Sequence, residues 1–223
     1  MIIIAYYTND DIYSQHAQLL QHHLEKYELN YELEKIEKTS WLKATAFKPS
    51  FIENKLKLHN EPLLYLDIDT IIHTNIESFF AGIKEDIAVY YSSENELISS
   101  VIYLQPSTRI FQLLASWRIA MEANPDTWDQ RVLQQILSTN QEISVYRLPH
   151  EYVYIFDTFK ERYPEMQPVI EHLQASRETK YREKSRLPKY RLLRYLGIRP
   201  KVGRLLLNRR KRMRELLDQD SPG

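Results

Sequence analysis

Cysteine is absent from the 223 residues, which excludes disulfides, thiolate metal sites and a cysteine nucleophile. The absence suits a reducing compartment, so the expected location is the cytoplasm. Glycine is almost as scarce, with only Gly82, Gly197, Gly203 and Gly223 present. Neither a GxGxxG dinucleotide loop nor a Walker A loop can be built from glycines so placed, and any phosphate must be held by side chains or a metal. Long apolar runs are missing too, none approaching the roughly 18 residues of a membrane-spanning helix. The opening Met1-Ile2-Ile3-Ile4-Ala5-Tyr6-Tyr7 is short and has no basic lead, so it is not expected to be a signal peptide.

Net charge is also missing, with 30 Lys and Arg against 30 Asp and Glu. The balance hides a split. Residues 177–220 hold sixteen Lys and Arg but five Asp and Glu, a net of +11, and the remainder carries 14 against 25, a net of −11. The chain therefore reads as an acidic body with a basic tail. Apolar residues at 43% and charged residues at 27% are enough for one sizeable core under a soluble surface.

Strand-like and helix-like patterns alternate over residues 1 to about 175. Strands are expected at Ile2–Tyr7, Asn30–Ile36, Pro62–Leu66, Ile87–Tyr91, Ile98–Leu104, Ile143–Leu148 and Val169–Leu173. Asp10 or Asp11 caps a helix carrying Tyr13, Ala17, Leu20, Leu24 and Tyr27. Pro49 suits the first turn of another, with Phe51, Ile52 and Leu56 inward, and further helices fit Ser107–Glu122 and Thr127–Leu137. Such alternation predicts an α/β sandwich with a largely parallel sheet. No internal repeat is visible.

Asp67-Ile68-Asp69 follows the apolar run Leu63-Leu64-Tyr65-Leu66. Ligands of open α/β sheets bind beyond the carboxyl ends of strands. Two carboxylates one residue apart at such an end can converge on one hard cation, Mg²⁺ or Mn²⁺, that bridges to a diphosphate. The plainer alternative is a solvated turn with two acids.

The stretch Pro62–Thr70 resembles the DxD region of metal-dependent, nucleotide-sugar-using glycosyltransferases of the GT-A fold. Four other segments follow in the order of that group: Ile3–Thr8, Trp41 with Lys48–Ile52, Trp128-Asp129-Gln130, and Pro168–Lys180 around His172. The resemblance covers residues 1 to about 180 and implies a three-layer α/β/α sandwich with a mostly parallel central sheet. It makes Asp67, Asp69 and His172 the ligands of Mn²⁺ or Mg²⁺, and places Tyr7, Thr8 and Lys48 against the nucleotide. Tyr13 would border the base as well. Asp129 and Gln130 would stand at the donor sugar, and Arg177 and Lys180, three apart on a helical turn, would both face the diphosphate. Where the group commonly has glycine this chain has Ser99-Ser100, and Gln174-Ala175-Ser176 after His172 offers none. The resemblance leaves open whether anomeric configuration is retained or inverted.

Residues 181–223 are expected to be a basic appendage, with short amphipathic helices over Tyr190–Ile198 and Val202–Leu217. Such helices lie on anionic membrane surfaces, here the cytoplasmic face, where a lipid-linked or glycan acceptor would be met. No nucleic-acid motif accompanies the basic run. Two rival functions remain at this level. One is a non-catalytic membrane-surface adaptor. The other is a haloacid-dehalogenase-type phosphatase, although Thr70 stands where that group has glycine.

Overall fold

The chain leaves one sheet and enters another at the Asp67–Asp69 turn, and this break organises the molecule. In the computed structural model, residues 1–223 are described except 95, 125, 186, 189–192, 194, 198–200 and 220–223. The first half runs β1 (Ile2–Thr8), α1 (Asp11–Lys26), β2 (Tyr31–Ile36), α2 (Trp41–His59), β3 (Leu63–Leu66), β4 (Thr70–Ile72), α3 (Glu77–Ala81), β5 (Ile87–Ser93) and β6 (Glu96–Leu104). It continues with α4 (Thr108–Ala123), α5 (Asp129–Thr139), β7 (Val145–Arg147), β8 (Tyr154–Ile155), α6 (Phe156–Arg162), β9 (Ile170–His172), α7 (Ala175–Ser185) and α8 (Lys201–Gln219).

The main sheet has six strands in the order β2-β1-β3-β6-β5-β7. β6 alone opposes its neighbours β3 and β5, and the other five strands point one way. Alternate residues feed two cores. Ile3, Ala5, Leu64, Leu66 and Tyr103 pack on one side with Leu20 and Leu24 of α1. Ile4, Tyr6, Leu63, Tyr65 and Leu104 pack on the other with α2, α4 and α5. Burial on both faces explains why β1 and β3 read as continuous apolar runs. The result is the expected α/β/α layering.

A second sheet, β4-β9-β8, was not anticipated. Its strands have two or three residues, too few to show a period. Antiparallel pairing sets Thr70 opposite His172, so residues 102 apart in sequence meet at the Asp67–Asp69 turn.

Helix starts follow local chemistry. Asp10 accepts from the Ile12 and Tyr13 amides, and Ser107 accepts from Ile110. Pro49 departs from expectation. α2 begins at Trp41 behind a Ser40 cap, so Pro49 lies mid-helix, where it gives the Thr45 carbonyl no N–H. Burial of Phe51, Ile52 and Leu56, together with a Tyr6 hydroxyl bond to the Ala44 carbonyl at 2.7 Å, holds that stretch despite the missing bond.

Position 180 falls inside α7. Much of the expected 190–198 helix lies outside the described residues, and the 202–217 helix is α8. Among the described residues no helix is long and apolar enough to cross a membrane.

Candidate functional site

Backbone bonds fix the turn from both sides. The Asp67 amide donates to the Ser100 carbonyl on β6, and the Leu173 amide donates to the Asp69 carbonyl, both at 2.9 Å. Ile68 between them is buried in the core. The Ala175 amide, first in α7, donates to Asp69 Oδ2 at 2.6 Å, so this carboxylate sits where a helix start favours negative charge. Burial by itself would raise the Asp69 pKa, but His172 and that amide outweigh it and hold the carboxyl below its usual range.

Lys48, 3% exposed, links Asp67 to Asp129. Its Nζ lies 2.8 Å from Asp129 Oδ2 and 3.3 Å from Asp67 Oδ1, and donates to the carbonyl and hydroxyl of Ser99 at 3.1 Å. Burial pushes the ammonium toward neutrality, yet Asp129 and then Asp67 more than offset this, and the pKa moves up. The resemblance placed Lys48 against the nucleotide. It is instead the buried counter-ion of two carboxylates. Ser99 donates to Asp129 Oδ2 at 2.8 Å and the Tyr65 hydroxyl to Asp67 Oδ1 at 2.8 Å. Asp129 opens α5 as expected, but its carboxylate faces Lys48 rather than capping the helix.

His172 is fully buried, with Nδ1 3.2 Å from the Thr70 hydroxyl and Nε2 3.2 Å from the Ser100 hydroxyl. Thr70 gives its one hydroxyl hydrogen to the Asp67 carbonyl at 2.5 Å, so toward Nδ1 its oxygen can only accept. Nδ1 therefore carries a proton, on the side facing Asp69 Oδ1 at 3.8 Å. In the neutral ring Nε2 is then the acceptor for Ser100. The serines that stand in place of glycine thus bond to both Asp129 and His172.

Other expected site residues divide. Thr8 donates to Asp10 at 2.7 Å, and Tyr7 packs half-buried on the core. Tyr13 lies near Asp69: burial, then that carboxylate, raises its phenol pKa. Gln130 follows Asp129 on α5, half-buried, and its side chain has no hydrogen bond to a described residue. Arg177 and Lys180 do not act together. Arg177 bonds to Asp157 at 2.6 Å, whereas the Lys180 ammonium rests 4.8 Å from the centre of the Trp41 ring.

Several of the tail's arginines are paired within the molecule. Arg209 and Asp157 are each 4% exposed in their side chains and 2.5 Å apart. Arg210 pairs with Glu178 at 3.3 Å, and Arg212 grips Glu171 through two bonds, at 3.2 and 2.9 Å. Leu216 joins Leu19, Ile71, Phe156 and Leu173 in a third apolar cluster. The expected membrane-facing helix is therefore seated on the second sheet, with Arg209 and Arg212 turned inward. Sequence reading missed Asp157, Arg209 and Arg212; the one local signal was Glu171, an acid inside the apolar run Val169–Leu173.

Burial would raise the Glu171 carboxyl, but His73 at 2.7 Å and Arg212 outweigh it and hold its pKa low. A depressed carboxyl contributes stability that is complete above the unfolded pKa and lost as pH falls through the folded one. Melting temperature should therefore fall between about pH 5 and pH 2 more steeply in the wild type than in Glu171→Gln. Parallel profiles would mean the pairing contributes nothing.

A protein-family model for nucleotide-diphospho-sugar transferases matches residues 6–186. The chain belongs to that family. Among solved structures, a glycosyltransferase involved in glycosylation of the major capsid of PBCV-1 superposes with a TM-score of 0.64 at 11% identity, covering 82% of this chain and 98% of the other. The apo-form glycosyltransferase GlyE of Streptococcus pneumoniae TIGR4 gives 0.56 at 13% identity, and the bifunctional glycosyltransferase WbbM gives 0.56 at 11%. Both alignments cover 77% of this chain but about half of the other, 53% and 45%. These likenesses concern the fold. No curated protein sequence gives a significant match.

Family membership makes the protein a glycosyltransferase and removes the phosphatase reading. Asp67 and Asp69 suit a hard divalent cation in part. They supply carboxylate oxygens at one turn, and Asp67 Oδ2 takes no hydrogen bond from a described residue. His172 as seated does not complete the set, because both its nitrogens are engaged. Among the described residues no three His, Asp or Glu side chains are grouped to hold a metal.

Proposed function

We propose that this glycosyltransferase moves a sugar from a nucleotide-diphosphate donor to a hydroxyl of a glycan or lipid-linked acceptor, with Mn²⁺ or Mg²⁺ held by Asp67 and Asp69. The supporting observation is the placement of both carboxylates at the end of β3, with Asp67 tied through Lys48 to Asp129. The bond from the anomeric carbon to the diphosphate breaks, the diphosphate keeps the electron pair, and the acceptor oxygen bonds to that carbon as its proton passes to the departing diphosphate or to water. A bound divalent cation would supply charge stabilisation for the departing diphosphate. Asp129 uses Oδ2 for Lys48 and Ser99, which leaves Oδ1 to accept from a donor-sugar hydroxyl. His172 and the Ala175 amide keep Asp69 ionised. Histidine here orients a carboxylate rather than joining it as a ligand.

A thermal-shift panel of nucleotide sugars with Mn²⁺, Mg²⁺ or EDTA tests this reading. A donor at 100 times its Kd adds about 2.7 kcal/mol of stability. The expected result is stabilisation by one nucleotide class only with metal, and a loss of about 10²–10³-fold in turnover in Asp67→Ala and Asp69→Ala. Full activity in both variants overturns the role of the pair. No stabilisation by any donor overturns the metal-dependent donor site at Asp67 and Asp69.

A further inference from the structure

The contacts around the aspartates close into a ring. From Asp69 the Ala175 amide leads along α7 to Lys180, which lies on Trp41. Trp41 meets the Trp128 ring edge-on, with centroids 5.9 Å apart. Trp128 adjoins Asp129, and Asp129 returns through Lys48 to Asp67. The two indoles, from the starts of α2 and α5, are thus linked to the carboxylate pair through Lys180 and α7 on one side and through Asp129 and Lys48 on the other.

Trp128 is 43% exposed, which is uncommon for so large an apolar group beside a buried polar network. The Arg131 guanidinium lies 5.1 Å from its ring centre. No carboxylate among the described residues pairs with Arg131. An exposed indole offers a flat apolar face, and a pyranose offers a matching face of C–H groups with its hydroxyls at the rim. The guanidinium lies over one face of the indole, so the sugar would take the other, and a carboxylate or phosphate reaching past the indole edge would meet the guanidinium.

We infer that Trp41 and Trp128 form the platform for the acceptor sugar, and that Arg131 selects a pyranose bearing an acidic group. This rests on the glycosyltransferase reading above. The donor sugar would lie between the carboxylate pair and Asp129, and the acceptor ring would stack at the Asp129 end. Lys180 steadies Trp41 from α7.

Trp117 is buried but its Nε1 donates to the Asp129 carbonyl at 3.1 Å, so emission is read in a Trp117→Phe background, where changes on glycoside binding report Trp41 and Trp128. The experiment titrates the full chain with methyl β-glucuronide and methyl β-glucoside. Both should change the emission saturably, with the glucuronide binding about tenfold more tightly. Arg131→Ala should remove that preference, and Trp128→Ala should weaken both by about tenfold, whereas Trp128→Phe keeps most of the binding. Melting temperatures check that each variant folds. Equal binding of the two glycosides overturns the acidic selection. No saturable change with either, or unaltered binding by Trp128→Ala, overturns the platform. The nucleotide-sugar thermal shift on the same sample separates the two proposals. Donor stabilisation without a glycoside response sinks only the platform, and absence of donor stabilisation sinks the reading beneath it.

Discussion

Lys48→Met should destabilise the fold by about 3–5 kcal/mol and abolish turnover. Methionine keeps the volume and the packing on Tyr65, whose ring centre lies 5.0 Å from Nζ. What disappears is the charge. Asp129, 6% exposed, would keep only the Ser99 hydroxyl on Oδ2, and Asp67 only the Tyr65 hydroxyl on Oδ1. A buried carboxylate without a cation costs several kcal/mol or takes up a proton. Urea unfolding measures the loss, and the double variant Lys48→Met with Asp129→Asn separates its causes. If the loss is the stranded Asp129 charge, the double variant regains most of the stability while turnover stays absent. A single variant within about 1 kcal/mol of wild type would show that Lys48 is not the counter-ion.

Lys48 also shows where sequence reasoning reaches its limit. Its neighbours Pro49, Phe51 and Ile52 mark a helix, but nothing local says that its side chain crosses to two carboxylates 19 and 81 positions away. The layered sheet was legible because β1, β3 and β6 are buried on both faces and read as apolar runs. Asp67 and Asp69 were legible because charge interrupts such a run at its end. Asp10 was legible as a cap, with Asp11 as the alternative, because capping is local chemistry. The β4–β9 pairing was not, since three-residue strands carry no period and only tertiary contact sets Thr70 against His172. The tail was half legible. Its charge and helical character show in sequence, but a charge run reads as a solvated or membrane-facing surface until each arginine meets its acid.

Asp157→Ala should release α8 and cost about 3–5 kcal/mol. Arg209 and Arg177 converge on the one oxygen Oδ2 at 2.5 and 2.6 Å, and burial has already made the Arg209 charge expensive. Arg177, 46% exposed, can turn to water, but Arg209, 4% exposed, cannot. Without Asp157 the buried guanidinium must either stay unpaired or leave, and leaving lifts the face of α8 that places Leu216 against Ile71 and Leu173. Ile71 lies on β4, which follows Asp69, and Leu173 follows His172 at the end of β9, so the release reaches the site through β4 and β9. Hydrogen exchange should therefore rise first in α8 and in 70–72 and 170–172, while β1 and β3 stay protected. Turnover should fall in parallel with that exchange. If α8 alone becomes labile and turnover is retained, the tail is an independent appendage; loss of both together makes α8 a structural part of the transferase.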